Sequence, residues 1–531
     1  MKIFSLSLIA CMPLVLLLPA CKPKEPYDAR RIDGLRAEAE QLITAQAGMG
    51  YDSWVHGAAS NQDSLYRAHA GLFTRETIRL VADAERAEPD TNQKRRLRYF
   101  RRYLTTEYIA KEVAPLTDEV TNLEARAMIT VGGTPFAYRQ LNALLANERS
   151  AVRRAALYAA ADPVLDSLNL LHRGIHHRSL ALARELGYAS YTDMVEQLKG
   201  FSLPELGAIA EGFLSGTDSQ YTALLQEIVP RMIGVPAGRF RRSDTPALFR
   251  SSAFDRYFPA DGMLQRLRTT YAGMGIPIDS LTNLRIDAEP RPTKNPRAVC
   301  YPVDIPDDVR LSIKPVGGPD DYAALFHEMG HGLHYALTTE NAFEFKYLGE
   351  PTVTETYAFL SEYLLDNQAW LRMKSGMPTA PLKEYVRLSA FQRLFMVRRY
   401  AAKVLYEMQL HAGVPDADSL YVRLMARSIG VVPHPSDAKR FLVDIDPLFY
   451  SAGYLRAWFL EAQLNAALGA RFGVNWFEHR GAGEFLRSLW AQGDRLDGDG
   501  LASQLGVPSI MPDALLESIR MMLVLSTKPS V

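Results

Sequence analysis

The chain has 531 residues, 47% of them hydrophobic and 23% charged, which is enough for two or three sizeable cores and too apolar for a disordered chain. Sixty basic side chains balance sixty acidic ones, so no global field marks nucleic acid or an anionic surface as a partner. The balance argues neither for nor against an enzyme.

Lys2 precedes an apolar run over residues 3–18 that ends in Leu18-Pro19-Ala20-Cys21. The run is too short and too close to the terminus for a comfortable transmembrane helix. It looks like a bacterial lipoprotein signal, with residues 1–20 removed, Cys21 lipidated, residues 21–26 forming the lipidated end and its tether, and 27–531 the folded body. The expected address is extracytoplasmic and membrane-anchored, on the periplasmic or cell-surface side; a plain secretory peptide or an uncleaved anchor is the alternative. With Cys11 lost and Cys21 lipidated, Cys300 stands alone and no intramolecular disulfide is expected.

Residues 27–126 are helical in pattern. Leu35, Ala39, Leu42 and Ile43 share one helical face, and a second segment covers residues 93–112. In it, Lys94, Arg95, Arg96, Arg98, Arg101 and Arg102 surround Leu97, Phe100 and Leu104, which predicts a solvated helix face, with contact to acidic lipid or peptide carboxylates as the alternative. Val131-Gly132-Gly133-Thr134-Pro135 reads as a turn without the glycine spacing of a nucleotide loop. Residues 138–184 are helical again, closing at Gly187. His172 and His176 lie four apart there, and His177 follows, but no acid stands in a matching place, so all three read as surface or core histidines. Ser202-Leu203-Pro204-Glu205 opens a further helix to about residue 214. Six prolines and short apolar alternations over residues 284–315 predict a small β-ribbon built from 298–305 and 310–313. An exposed edge there is suited to holding an extended peptide.

Pro319 then opens a helix, with Asp320 and Asp321 in its first turn and Leu325, Phe326, Met329 and Leu333 on its buried side. It carries His327-Glu328-Met329-Gly330-His331. Helical positions i and i+4 are about 400° and about 6 Å apart, so both imidazoles face one zinc ion. Glu328 sits beside that ion, where it can take a proton from a zinc-bound water. His334 is two turns beyond His327, too far for the same ion, and reads at best as a cleft residue or a support for a ligand. Two glutamates compete as third ligand, Glu350 and Glu355, nineteen and twenty-four residues after His331. Glu350 precedes Pro351 and so belongs to a loop; Glu355 lies near the start of a helical pattern over 353–362 that aims it rigidly, and is preferred. Two histidines and one glutamate leave a fourth position for water, as in a catalytic zinc. Glu362 reads either as the orienting partner of a ligand histidine or as a cap.

Four stretches carry a family resemblance: 182–194 (LARELGYASYTDM), 298–331, 352–362 and 449–464 (FYSAGYLRAWFLEAQL). With His-Glu-Met-Gly-His and Glu355 in that order, the chain resembles the peptidyl-dipeptidase family of angiotensin-converting enzyme and is similar to the wider group of thimet oligopeptidase and oligoendopeptidase F. The resemblance implies a mostly α, two-lobed helical metallopeptidase with a deep central channel, a small β-ribbon beside the histidine helix, one zinc ion and short peptide substrates. By position His327, His331 and Glu355 ligate zinc, and Glu328 is general base and then proton donor to the leaving amine. Tyr454 donates to the oxyanion, with Tyr450 as a second contact. The chain departs from the family in three places. Asp444, Asp446 and Leu448 occupy the neighbourhood of the family's histidine; Lys439 and Arg440 lie only near the place of its carboxylate-binding lysine; and Pro302 interrupts the substrate-holding strand. The expected protein is a lipid-anchored zinc metallopeptidase, peptidyl-dipeptidase or oligoendopeptidase in action. The alternative is a peptide-binding lipoprotein with weakened catalysis on the same fold.

Overall fold

A computed structural model describes residues 27–527 apart from 60, 61, 292 and 296. The expected signal and lipidated cysteine lie outside the described residues. Helix accounts for 72% of the structure and strand for 5%, so the chain is mostly α as expected. Among the described residues, no helix is long and apolar enough to cross a membrane.

The glycine pair at 132 and 133 makes a hairpin turn. Both residues have positive φ, 58° and 81°, which a two-residue turn between antiparallel strands requires. It joins β1 (Met128–Val131) to β2 (Thr134–Ala137), with Val131 opposite Thr134. Strands this short carry too few alternations to show in the sequence. They cover a satellite core of Ile129, Leu141, Leu157 and Leu165, separate from the main one.

A second sheet precedes the histidine helix. Its order is β3 (Leu284–Asp287), β5 (Asp308–Ser312), β4 (Val299–Asp304). The antiparallel β4–β5 pair corresponds to the expected ribbon; β3, parallel to β5, was not anticipated. Central β5 buries Val309 and Leu311 completely. Edge strand β4 carries Pro302, which a paired central strand would not accommodate.

The histidine helix, Pro319–Ala336, begins at Pro319, and the Asp321 carboxylate accepts from the Val316 and Gly317 N–H groups at 2.6 and 2.8 Å. Leu325, Phe326, Met329 and Leu333 are fully buried, each contributing about 1.5–3 kcal/mol relative to an exposed side chain. The glutamate helix, Pro351–Glu362, crosses it at Gly330. A Cβ at Gly330 would stand 2.5 Å from the Tyr357 carbonyl oxygen and 2.6 Å from Ala358 Cα. Only a residue without a side chain permits this approach, which brings Glu355 within reach of both histidines. The tyrosine helix, Tyr450–Phe472, packs on the glutamate helix's other side, with the Thr352 hydroxyl donating to the Gly453 carbonyl at 3.4 Å.

The basic helix corrects the sequence expectation. It spans Thr91–Arg126, and while Lys94 and Arg126 are exposed, the arginines at 95, 96, 98, 101 and 102 turn inward rather than into solvent. Arg96 and Arg36 both donate to Glu344, at 2.9 and 2.5 Å; Arg98 pairs with Asp497 at 3.3 Å and Arg101 with Glu85 at 2.6 Å. Arg102 donates to the Leu348 and Gly349 carbonyls, holding the loop that leads into the glutamate helix. Most of these acceptors are hundreds of residues away in sequence, so the charge pattern alone did not reveal them.

Candidate metal centre

His327 and His331 project from successive turns, with ring centroids 5.0 Å apart. Glu355 Oε2 lies 3.3 Å from His327 Nε2 and 3.7 Å from His331 Nε2. One potential ligand atom from each residue falls within 4.8 Å of the others.

The outer atoms of the two rings set their tautomers. His327 Nδ1 faces the Glu362 carboxylate at 2.9 Å, and a carboxylate only accepts, so Nδ1 carries a hydrogen and Nε2 is the nitrogen turned inward. His331 Nδ1 lies 2.8 Å from Thr354 Oγ1, whose own hydrogen goes to the Tyr335 hydroxyl at 3.2 Å, so His331 takes the same tautomer. Glu355 Oε1 accepts from the Tyr450 hydroxyl at 2.8 Å. Its other oxygen, Oε2, is buried without a hydrogen-bond partner. Two imidazole Nε2 atoms and a buried carboxylate oxygen converging on one point make a donor set that fits a zinc ion, whose binding would displace the His327 Nε2 proton.

Charge supports the same fit. Three carboxylates, Glu328, Glu355 and Glu362, meet two imidazoles. Burial disfavours charge on Glu355, but the His331 and His327 rings and the Tyr450 hydroxyl outweigh it and hold the carboxyl at about 2. Burial likewise opposes a proton on His327, yet Glu355 and Glu362 outweigh it and push His327 well up; burial pulls His331 down. The cluster favours positive charge at its centre.

Glu328 is held from the sheet: its Oε2 accepts from the Cys300 N–H on β4 at 2.8 Å. It opens with His327, Glu362 and Tyr454 into a cleft of about 620 Å³, flanked by Arg297 and Asp320. Tyr454 stacks on Tyr400 with centroids 5.5 Å apart and meets Phe359 edge-on. Burial, and then the Glu355 carboxylate, push the Tyr450 and Tyr454 phenols far above their ordinary range, so both remain donors.

The remaining candidates lie elsewhere. Glu350 is the N-cap of the glutamate helix, accepting from the Thr352 N–H at 3.1 Å, and stands outside the cluster of His327, His331 and Glu355. His334 is 1% exposed, between Tyr335 and Tyr357; the helix turns it into the core rather than the cleft. His176 meets His411 at 3.1 Å beside a cavity of about 840 Å³ that does not contain the cluster. Lys439 pairs with Asp166, and Arg440 donates to the Ser436 carbonyl at 2.7 Å. Asp444 and Asp446 are neutralised by Arg242 at 2.8 Å and Lys403 at 3.0 Å. Thr354, Tyr335 and Tyr400 were missed by sequence reasoning. Tyr335 stands four residues after His331, and that spacing was the available signal.

The tyrosine helix starts from an unusual turn. Leu448 (φ 53°, ψ 34°) and Phe449 (φ 50°, ψ 48°) are consecutive left-handed residues with side chains, a conformation that costs about 1–3 kcal/mol per residue. Compared with protein-family models and with curated proteins, the chain matches none, so its geometry carries the functional reading.

Proposed function

We propose that the protein is a zinc metallopeptidase acting on short peptides. The observation that carries this reading is the convergence of His327 Nε2, His331 Nε2 and Glu355 Oε2, with Glu328 beside them in an open cleft. His327, His331 and Glu355 would hold the ion. When bound, zinc supplies Lewis acidity to the scissile carbonyl and lowers the pKa of water.

The side chains do the rest. The Glu328 carboxylate, steadied by the Cys300 N–H, takes the proton of the attacking water and delivers it to the departing amine. Tyr454 donates its hydroxyl hydrogen to the oxygen that gains negative charge. The β4 edge offers main-chain groups to an extended peptide. That ladder is short, because Glu328 occupies the Cys300 N–H and Pro302 has none. Lys439 and Arg440 are engaged elsewhere and do not line the cleft, whereas Arg250 and Arg297 do, so any recognition of a free C-terminal carboxylate would fall to these two arginines. The reading extends to a two-lobed body around a central channel, supported by the cleft, and to an extracytoplasmic lipid anchor on Cys21, supported by the N-terminal sequence.

The test is incubation of zinc-loaded protein with a mixed peptide library, reading cleavage by mass spectrometry, beside Glu328→Gln. Wild type cleaves, and the variant is slower by about 10²–10⁴-fold. Peptide binding without cleavage by the wild type would establish the binding-module alternative instead. Cleavage of C-terminally amidated peptides separates endopeptidase action from strict dipeptide release.

A further inference from the structure

The turn at Leu448 and Phe449 stands immediately before Tyr450 and five residues before Tyr454, so its two dihedral pairs set the direction in which the tyrosine helix leaves the core. Nothing local explains the conformation, since neither residue is glycine and neither has a short polar side chain to bond its own backbone. Left-handed residues with full side chains persist where surrounding structure over-determines them. Here the surroundings are three side chains from two other elements.

Glu407 is 0% exposed, on the long helix Thr379–His411. One of its oxygens accepts from the Asp446 N–H at 2.8 Å, and the other bonds the Ser451 hydroxyl. It thus brackets the turn, fixing one residue before it and one after it. Tyr191 and Lys199 come from the two ends of the helix Tyr191–Lys199. The Leu448 N–H donates to the Tyr191 hydroxyl at 3.0 Å, and Lys199 Nζ donates to the Phe449 carbonyl at 3.3 Å. The Phe449 ring is fully buried against His411, one turn beyond Glu407. Of the turn's own main-chain groups, the Leu448 N–H and the Phe449 carbonyl each meet one of these side chains, and none of the three takes part in the proposed chemistry.

We propose that Glu407, with Tyr191 and Lys199, is a positioning residue. It clamps Leu448 and Phe449 in the left-handed conformation, and that conformation places the Tyr450 hydroxyl on Glu355 and the Tyr454 hydroxyl in the cleft. This inference rests on the peptidase reading for its catalytic consequence, but not for its structural one. Burial pushes the Glu407 carboxyl up to about 8, so near neutral pH the group is largely uncharged. A glutamine keeps the Asp446 bond through its carbonyl and meets Ser451 with its amide once the Ser451 hydroxyl, which donates to Glu407, rotates to accept.

The experiment compares Glu407→Gln, Glu407→Leu, Tyr191→Phe and the double variant Glu407→Leu/Leu448→Gly. One readout is kcat and KM on a cleaved peptide. The other is the ¹⁹F resonance of 3-fluorotyrosine placed at position 450 in metal-free protein. Glu407→Gln keeps the wild-type resonance and most of kcat. Glu407→Leu shifts or splits the resonance and lowers kcat by about tenfold to a hundredfold with KM little changed. Leu448→Gly restores both, because glycine adopts the left-handed region without a clamp. If Glu407→Leu does not fold, Tyr191→Phe is read in its place, with a smaller change in the same direction and the same rescue by Leu448→Gly. An unchanged resonance in the folded clamp variant, or a loss that Leu448→Gly fails to restore, overturns the proposal. A wild type that cleaves no peptide overturns the peptidase reading alone, since the resonance still decides the clamp.

Discussion

The two walls of the cleft are built in opposite ways. The proposed metal wall consists of two regular helices crossing at Gly330, and its histidines are oriented by neighbours on those helices, Glu362 and Thr354 for the rings and Tyr335 behind Thr354. The tyrosine wall begins at a strained turn, and its geometry depends on Tyr191, Lys199 and Glu407, between 41 and 257 residues away. Ligands need fixed mutual distances, which helix geometry supplies directly. A hydrogen-bond donor must instead meet an oxygen whose charge appears only during reaction, so it has to be aimed across the cleft from separate structure.

The comparison breaks most readily at the third ligand. Glu355→Ala should abolish stoichiometric zinc binding and peptide cleavage with it, whereas Glu350→Ala removes a helix cap, worth about 0.5–2 kcal/mol, and the carboxylate beside buried Lys199 and Arg102, and still retains zinc. Metal analysis of the two purified variants decides this, and zinc retained by Glu355→Ala would mean the metal wall is not the one described. The next effect in size separates the tyrosines. Tyr454→Phe is expected to lower kcat by about 10²–10³-fold with zinc bound normally. Tyr450→Phe removes a hydrogen bond to Oε1, the carboxylate oxygen of Glu355 that faces away from the histidines, so its loss should fall on zinc affinity. Equal kcat losses with unchanged affinity would show that both hydroxyls face the substrate.

Legibility in the sequence follows the same division. The spacing of His327 and His331, the proline-started helix and the choice of Glu355 over Glu350 all rest on rules that act within one or two turns of chain, and the structure places those residues together. Local rules also found the β4–β5 ribbon. They could not show β3, whose partner β5 lies more than twenty residues on in a parallel pairing. Nor could they show that the arginines of Thr91–Arg126 turn toward Glu344 and Asp497. The turn at Leu448 and Phe449 was the least visible feature. Neither residue type signals a left-handed backbone, because the groups that impose it come from other elements. His334 stands off the cluster, as its spacing from His327 implies, but in the core rather than the cleft, because Tyr357 and Trp490 enclose that helix face.

The smallest expected effect tests whether the metal wall is as self-contained as it looks. Thr354→Val keeps the shape of the side chain but removes the acceptor for His331 Nδ1–H and the donor to Tyr335. His331 then loses the bond that selects its tautomer and steadies its ring, and zinc affinity, measured by competition with a chelator, should fall by about 10–100-fold. Saturating zinc should restore kcat to near the wild-type value, because nothing in the bond from His331 through Thr354 to Tyr335 touches the turn that aims Tyr454. A kcat that stays depressed under saturating zinc, by as much as in Tyr454→Phe, would mean that the two walls share one support. The contact to test would then be the crossing of the glutamate and tyrosine helices, where Thr352 meets Gly453 and Thr356 meets Ala457.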